Sequence, residues 1–573
     1  MLPSIVLVAI FAAMAVGKYY ALGSFFFDLE SLLTSFNYLN DRGETGRIFL
    51  GHAHVVAVPY LAALKGIPGN LAAPVILTLQ ALALATPFWF LYRDFGRLAA
   101  YAFVLYVPLW INNHFDFHFD HLAVPLLLWF FFSAKARNAV GATVAALLLM
   151  MVKEPFALQT MACGVFLLWI GLRPSLNSVE INCRRFILAG LVLVVVGGVY
   201  FYFATHYLIP YFSGGARVGL DAGAFSWMGH SLGQMIGYLV THPMDILWGV
   251  VSTPGKLTYL FVVFGLLAFI PLLAPSYLIP ALPLLAIAML SRLPNYYDYN
   301  THYTAGLIIP VMLAFIHGLP KAHALWMRGA RWVWRNVSGI RVVFLTRVAT
   351  PLPSPFPQGE KRLGGQAGEG IYLLGENALV AVREARLSKA FYVLLAVWVL
   401  AGHVMLSPSP ISRLFWSDKV WSYSWHVYVS TEREDMMKQA MFDYIPTDPD
   451  VSITTQNTVN WHHLVNRKVY LPFPLGVDIP HRVMDWSNRD LPGLWQFVRT
   501  GLMPPAITHA RYADYVVLDL KRPWFIIDKG CDWLYGACRN NEMAAEFLRL
   551  VDETHQRYST VFEQDGFMIL KRK

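Results

Sequence analysis

Charge is what this sequence has least of. Asp, Glu, Lys and Arg make up 14% of its 573 residues, where a soluble protein carries about a quarter. With 56% hydrophobic residues and a mean hydropathy of +0.46, that deficit argues against a soluble enzyme and for a polytopic α-helical membrane protein. Cysteine is scarce as well, with four in all, so a disulfide scaffold is not the basis of the fold. The phosphate and nucleophile signatures GxxxxGK(S/T), GxSxG and GxGxxG after a strand are missing, which argues against ATP-driven transport by this chain alone. The net charge of +9 could suggest nucleic acid, but no nucleic-acid motif occurs. The excess Lys and Arg sits in short connections between apolar runs, where it reads as topology signal and lipid-headgroup contact. The opening "MLPSIVLVAIFAAMAVGKYY" has no basic leader and no small-x-small cleavage site, and reads as a retained first span.

What is present is a series of apolar runs. Spans are expected at 3–20, 72–91, 98–111, 121–134, 139–152, 155–172, 186–207, 257–273, 277–290, 304–318 and 389–406, about eleven on the length criterion. The Lys/Arg-rich connections "YRDFGR" (92–97), "AKARN" (134–138), "RPSLNSVEINCRR" (173–185) and "KAHALWMRGARWVWRNVSGIR" (321–341) all fall on one side of this arrangement. The positive-inside rule makes that side cytoplasmic. Residues 21–71, 112–121, 153–154, 208–256, 291–303 and everything after 406 then face outward.

The unusual polar residues collect at those outward ends. Asp28 and Glu30 lie in "FFFDLE", and His52 and His54 in "GHAH". His114, Asp116, His118, Asp120 and His121 lie in "NNHFDFHFDHLAVP", Lys153 and Glu154 in "VKEPF", and Asp298 and His302 in "NYYDYNTHY". Ionisable groups at membrane depth usually line functional cavities, so one polar, titratable cavity is expected at the outer face. Each motif also has a plainer reading: "FDLE" as the water boundary after a span, "VKEPF" as a local ion pair opening a helix, the tyrosines as interface anchors. For 114–121, a hydrated loop, a metal site and an acid/base role all stay open. An extended chain would set His114, Asp116, His118 and Asp120 on one side, and a helix would align His114, His118 and His121.

The expected organisation is a multi-span membrane domain over 1–319 with an outward-facing cavity. A basic interfacial segment and a disordered Pro/Gly-rich cytoplasmic insertion follow over 320–387, then a last transmembrane helix at 388–406. Residues 407–573 read as a soluble extracytoplasmic α/β domain, with strands in "DVSITTQ", "RKVYLPFP", "ADYVVLDL" and "GFMILKRK" and an amphipathic helix in "EMAAEFLRLVDETHQ". Cys531 and Cys538 are the disulfide candidates if that domain lies outside the cytoplasm.

The order of "FFFDLE", "LGHAHVVAVPYLAAL", "VILTLQALALATPFWFLYR", "DFH", "KEPFAL", "YNTHYTAGLIIP", "IPTDPDVSITTQNTVNWHHLVNRKVYLPFP" and "ADYVVLDL" resembles a bacterial family of predicted polytopic membrane proteins of unknown function (DUF 2079). That family is grouped with the GT-C type membrane glycosyltransferases. The resemblance implies a polyprenyl-phosphate sugar donor taken from the outer leaflet of the inner membrane. It implies Asp28 as the catalytic acid of the first outer loop and His54 as the loop histidine, with Asp116, His118 and Glu154 lining the cavity. Glu30 stands where the family carries a small or apolar residue. In that expectation Asp28 is a general base or a ligand to a divalent ion shared with Asp116 and His118. Lys153, and His118 when protonated, would steady the phosphate. The rival expectation is a non-catalytic transporter or a lipid- or solute-binding envelope protein with the same cavity. Membrane lipids are the partners expected under either.

Overall fold

Crossing about 30 Å of hydrocarbon takes roughly 20 apolar residues in a helix. Among the described residues, six helices meet that requirement by length and composition: Leu2–Tyr20, Gly69–Phe95, Glu154–Gly171, Cys183–Tyr211, His302–Val333 and Ala385–Leu406. Helices Pro243–Val251 and Pro254–Leu267, bent by 81° at their junction, make a seventh if the pair is one broken span. The chain is thus a polytopic helical membrane protein. The computed structural model describes residues 2–23, 29, 32–33, 52–64, 66–172, 180–212, 224–229, 231–336, 367–417, 423–456, 459, 461–465, 470–473, 477, 512–521, 531–532, 537–538 and 551–573.

The number of spans expected from apolar runs, about eleven, exceeds these six or seven, and the short runs account for the difference. Run 98–111 divides into helices Arg97–Val104 and Val107–His114, with Pro108 opening the second. Run 121–134 yields the 13-residue helix Ala123–Lys135, and 139–152 the 12-residue helix Ala139–Met150. At 1.5 Å per residue these reach only about 20 Å. Run 277–290 is tight 3-10 turn up to Ala281 and regular helix only over Leu282–Leu290, because Pro275, Pro280 and Pro283 keep interrupting the backbone ladder. The short helices pack inward, with Phe103, Ile111, Leu127 and Leu149 all fully buried.

Two long helices are held together by glycine. A Cβ added at Gly164 would lie 2.6 Å from the Gly190 carbonyl oxygen, and one at Gly190 would lie 2.7 Å from that of Gly164. Helices Glu154–Gly171 and Glu180–Phe203 therefore approach backbone to backbone, the small-residue packing that works without a hydrophobic drive between helices. Gly190→Val is expected to force them apart and lower stability by about 1–3 kcal/mol. The check is a fall in melting temperature of the detergent-solubilised protein, with Gly233→Val, at a site where a Cβ meets nothing, as the control.

The basic aromatic stretch after residue 320 does not form a separate interfacial helix. It continues the 32-residue helix Ala305–Asn336, because Arg, Ala, Leu, Met and Trp carry no signal to stop. Of the Pro/Gly-rich insertion, residues 337–366 lie outside the described part. The chain is helical again from Ala367 to Leu406, so the helix holding the last span begins well before residue 388.

Beyond the last span lies a five-stranded mixed sheet, β1 Ile453–Thr455, β2 Tyr470–Pro472, β3 Tyr515–Asp519, β6 Tyr558–Gln564 and β7 Phe567–Arg572, in the order β2-β1-β3-β7-β6. β1 runs parallel to β2 and β3, while β7 is antiparallel to β3 and β6. The expected strand stretches hold β1, β2, β3 and β7; β6 went unread, because "YSTVFEQ" is an edge strand whose side chains are mostly exposed or half-buried and which carries no apolar run. Its hairpin closes on Asp565 and Gly566, at φ 51° and 79°, the left-handed pair that a two-residue turn requires. Helix Glu432–Tyr444, also unforeseen, opens on a capping box between Thr431 and Glu434. It is tied to the sheet by Arg433, whose guanidinium grips fully buried Asp519 through two bonds of 2.9 and 2.7 Å. Of the amphipathic helix expected further on, residues 551–555 are described and helical. Strands β4 Cys531–Asp532 and β5 Ala537–Cys538 form a separate ladder that sets the backbones of Cys531 and Cys538 opposite each other.

Candidate functional site

Polar side chains buried in the helical part gather at one end of it. The backbone there is neither uniformly extended nor uniformly helical. Helix Val107–His114 stops at His114, residues up to His118 run extended, and Phe119–Leu122 make one 3-10 turn. Each break re-aims a side chain. Asp116 turns toward the end of the first helix, where the Lys18 ammonium sits 3.1 Å from Asp116 Oδ1 and donates to the His114 carbonyl at 2.7 Å. Both side chains of the pair are almost fully buried. Asp120 turns the other way, and its Oδ2 lies 3.8 Å from Lys153 Nζ and 3.6 Å from His302 Nε2.

His118 and His302 stack face to face, with ring centroids 3.5 Å apart and planes 10° from parallel. The phenylalanines fill the space between: Phe115 lies against both rings, and Phe117 lies against His121 and Phe119. His121 donates through Nδ1 to the His118 carbonyl. All of 112–121 is buried except the partly exposed His118, so the hydrated-loop reading fails. Apolar rings at alternate positions exclude water from the polar ones.

"KEPF" separates its two charges. Lys153 is the extended cap residue before helix Glu154–Gly171, and Pro155 sits in the first turn, where its missing N–H costs nothing. Lys153 reaches Asp120 and the face of Tyr303, 5.1 Å from the ring centroid. Glu154 instead accepts from His52 Nδ1 at 2.8 Å and from the Ala53 amide at 3.0 Å. The local ion pair expected between neighbours is replaced by two contacts across the fold. His54 donates through Nδ1 to the Val152 carbonyl at 2.9 Å, which leaves Nε2 as the acceptor nitrogen. Burial, reinforced by His52 and Lys153, holds this imidazole well below its usual range, at about 3, so it is neutral at physiological pH.

Asp298 does not join the group. Its carboxylate caps its own turn through the Asn300 amide and side chain, both at 2.9 Å, and burial raises its pKa above the ordinary carboxylate value. Asp28 and Glu30 lie outside the described residues, as do the side chains of Cys531 and Cys538. Of the metal set expected from Asp28, Asp116 and His118, Asp28 lies outside the described residues and Asp116 is paired with Lys18. Among the described residues, a group of three metal-ligand side chains with donor atoms all within 4.8 Å of one another is formed by His118, Asp120 and His302.

Sequence reasoning missed several residues here. Lys18 is the lone charge near the end of an apolar span, which was its available signal. Gln80, buried in the middle of helix Gly69–Phe95, accepts from the His118 amide at 3.4 Å. Tyr428, over three hundred residues away in sequence, shares a 2.6 Å hydrogen bond with His114 Nδ1. Its segment is pressed onto the first helix so closely that a Cβ on Gly17 would lie 3.1 Å from the Tyr428 carbonyl.

The opposite end of the same helices is basic. Arg93 and Lys135 lie there with Asp94 between them, about 20 Å along the helices from Gln80 and Ala123.

A family model described as predicted membrane protein (DUF2079) matches residues 62–358, a little over half of the chain. The match includes His114 to His121, Lys153, Glu154, Asp298 and His302. Asp28, Glu30, His52, His54 and everything after 358 fall outside it. No curated protein and no solved structure matches the chain.

Proposed function

The chain belongs to the DUF2079 family of predicted membrane proteins, and from that premise we propose an integral membrane glycosyltransferase of the GT-C kind that uses a polyprenyl-phosphate sugar. The observation that carries the reading is two buried ammonium groups, Lys18 and Lys153, set against Asp116 and Asp120 at one end of an apolar helical assembly. A lipid-phosphate sugar asks for that combination. Apolar walls accept the lipid, cations offset charge developing on the departing phosphate, and a carboxylate takes the proton of the attacking hydroxyl.

In this proposal Lys153 and His118 face the phosphate and Asp28 is the general base. The site opens at the outer leaflet of the inner membrane. Residues 407–573 form an extracytoplasmic α/β domain that closes over the site, and the Tyr428–His114 bond supports that role. The 81° break between Pro243–Val251 and Pro254–Leu267 favours a second reading, a carrier for a polar solute, since broken helices at membrane depth line transport sites.

Purified full-length protein assayed with a panel of polyprenyl-phosphate hexoses and pentoses separates the two. Turnover is expected, with Asp28→Asn lowering kcat by roughly a hundredfold or more. Unchanged turnover in that variant would remove Asp28 from the mechanism. No turnover by the wild type on any donor would sink the transferase reading in favour of the carrier.

A further inference from the structure

The strongest unassigned feature is the pocket around Asp120. A buried carboxylate normally makes close hydrogen bonds, because leaving it without them costs several kcal/mol. Asp120 is 3% exposed, yet its nearest cations lie at 3.6 and 3.8 Å from Oδ2, beyond hydrogen-bond length. Its Oδ1 makes no hydrogen bond among the described residues. His302 is equally buried, and neither of its ring nitrogens is hydrogen-bonded among them. A carboxylate and an imidazole sequestered together, with donor atoms directed at a shared space, have the composition of a cation site.

We propose that His118, Asp120 and His302 bind a first-row divalent cation. Two imidazole nitrogens and one carboxylate oxygen are a donor set that suits Zn2+, Mn2+ or Fe2+ better than Mg2+ or Ca2+, which favour all-oxygen shells. The three donor atoms lie within 4.8 Å of one another, and an ion with bonds of about 2.0–2.2 Å needs them roughly 3–3.5 Å apart. The contraction is small.

One rearrangement is required. Parallel rings cannot both aim an in-plane lone pair at a single ion, so binding turns one imidazole about its Cβ–Cγ bond and opens the His118–His302 stack. Lys153 can accommodate the new charge by moving from Asp120 onto the face of Tyr303, which already lies 5.1 Å from its ammonium. Three protein ligands leave coordination positions open, as in catalytic rather than structural metal sites. An anionic oxygen of phosphate class fits an open position beside Lys153. The site does not depend on the glycosyl-transfer reading, since a carrier for an anionic solute could use it equally.

The test uses the full-length protein in detergent, purified on a histidine-free tag and stripped with a chelator. Equilibrium dialysis against Zn2+ is expected to give one ion per chain bound by the wild type, and roughly tenfold or weaker affinity in Asp120→Asn and in His302→Gln. Gln and Asn roughly keep the side-chain volumes, and His323→Gln, about 27 Å along its helix from Ala305, is the control for adventitious imidazole binding. A measurement that needs no variant runs beside it: the optical spectrum of the Co2+-loaded wild type, in which a four-coordinate site with imidazole ligands gives intense visible ligand-field bands. Equal Zn2+ binding by all four proteins, no binding by the wild type, or a Co2+ spectrum like that of the hydrated ion would each overturn the proposal.

Discussion

Lys153→Met is expected to cost about 3–5 kcal/mol of stability, the largest single effect in the molecule. Lys153 and Asp120 are both almost completely buried, and the methionine preserves the aliphatic stem while deleting the ammonium. Asp120 would keep only imidazoles near it among the described residues, His302 at 3.6 Å and His118 in the same cluster. The pair itself need not be strongly stabilising, because desolvating both charges offsets most of their attraction. What is costly is removing one partner. Lys153→Met/Asp120→Asn should therefore recover much of the loss, and the interaction energy from the double-mutant cycle should be at least 1 kcal/mol. Thermal unfolding in detergent, followed by intrinsic fluorescence, measures all three variants. Additive losses would show that the two residues do not act on each other.

Lys18→Met comes next, with an expected loss of about 3 kcal/mol. Lys18 joins two parts of the chain: from the first helix it pairs with Asp116 and holds the carbonyl of nearby His114. His114 in turn meets Tyr428 beyond the last span. Losing the ammonium should loosen that contact as well as the ion pair, so this substitution is expected to have a second signature. Limited proteolysis of Lys18→Met should cut the chain near residues 418–428 faster than wild type, whereas Lys153→Met should leave that rate nearer normal. Equal cleavage in wild type and Lys18→Met would break the proposed link between Lys18 and the C-terminal part.

The membrane class was legible because it rests on composition. Too few charges and too many apolar residues leave no other environment for the chain, and the long helices follow from uninterrupted apolar runs. The short runs misled, since hydropathy records that a segment is out of water but not whether lipid or protein surrounds it. Segments Ala139–Met150 and Pro275–Leu290 are apolar and shorter than the long helices. Likewise, strands β3 and β7 showed as apolar runs that are continuously buried over Tyr515–Asp519 and Phe567–Leu570, and edge strand β6 did not, because its side chains are largely exposed or half-buried.

The site divides in the same way. Sequence order grouped His52, His54, Asp116, Asp120, Lys153, Glu154 and His302 as candidates, and the fold joins several of them through His52–Glu154, Asp120–Lys153 and Asp120–His302. Which residue meets which was beyond it. Lys153 and Glu154 are neighbours in the chain yet face Asp120 and His52, since the helix start points consecutive side chains in different directions. Asp116 and Asp120, four apart, serve different lysines because the backbone changes from extended to 3-10 between them. Lys18 went unread in the sequence, and the fold sets the His114 carbonyl and Asp116 against it. The sequence determines the solvent of this protein and the end at which its ionisable groups collect, because both depend on local composition. Only the tertiary structure decides how those groups pair, because pairing depends on where helix ends stop to within a single residue.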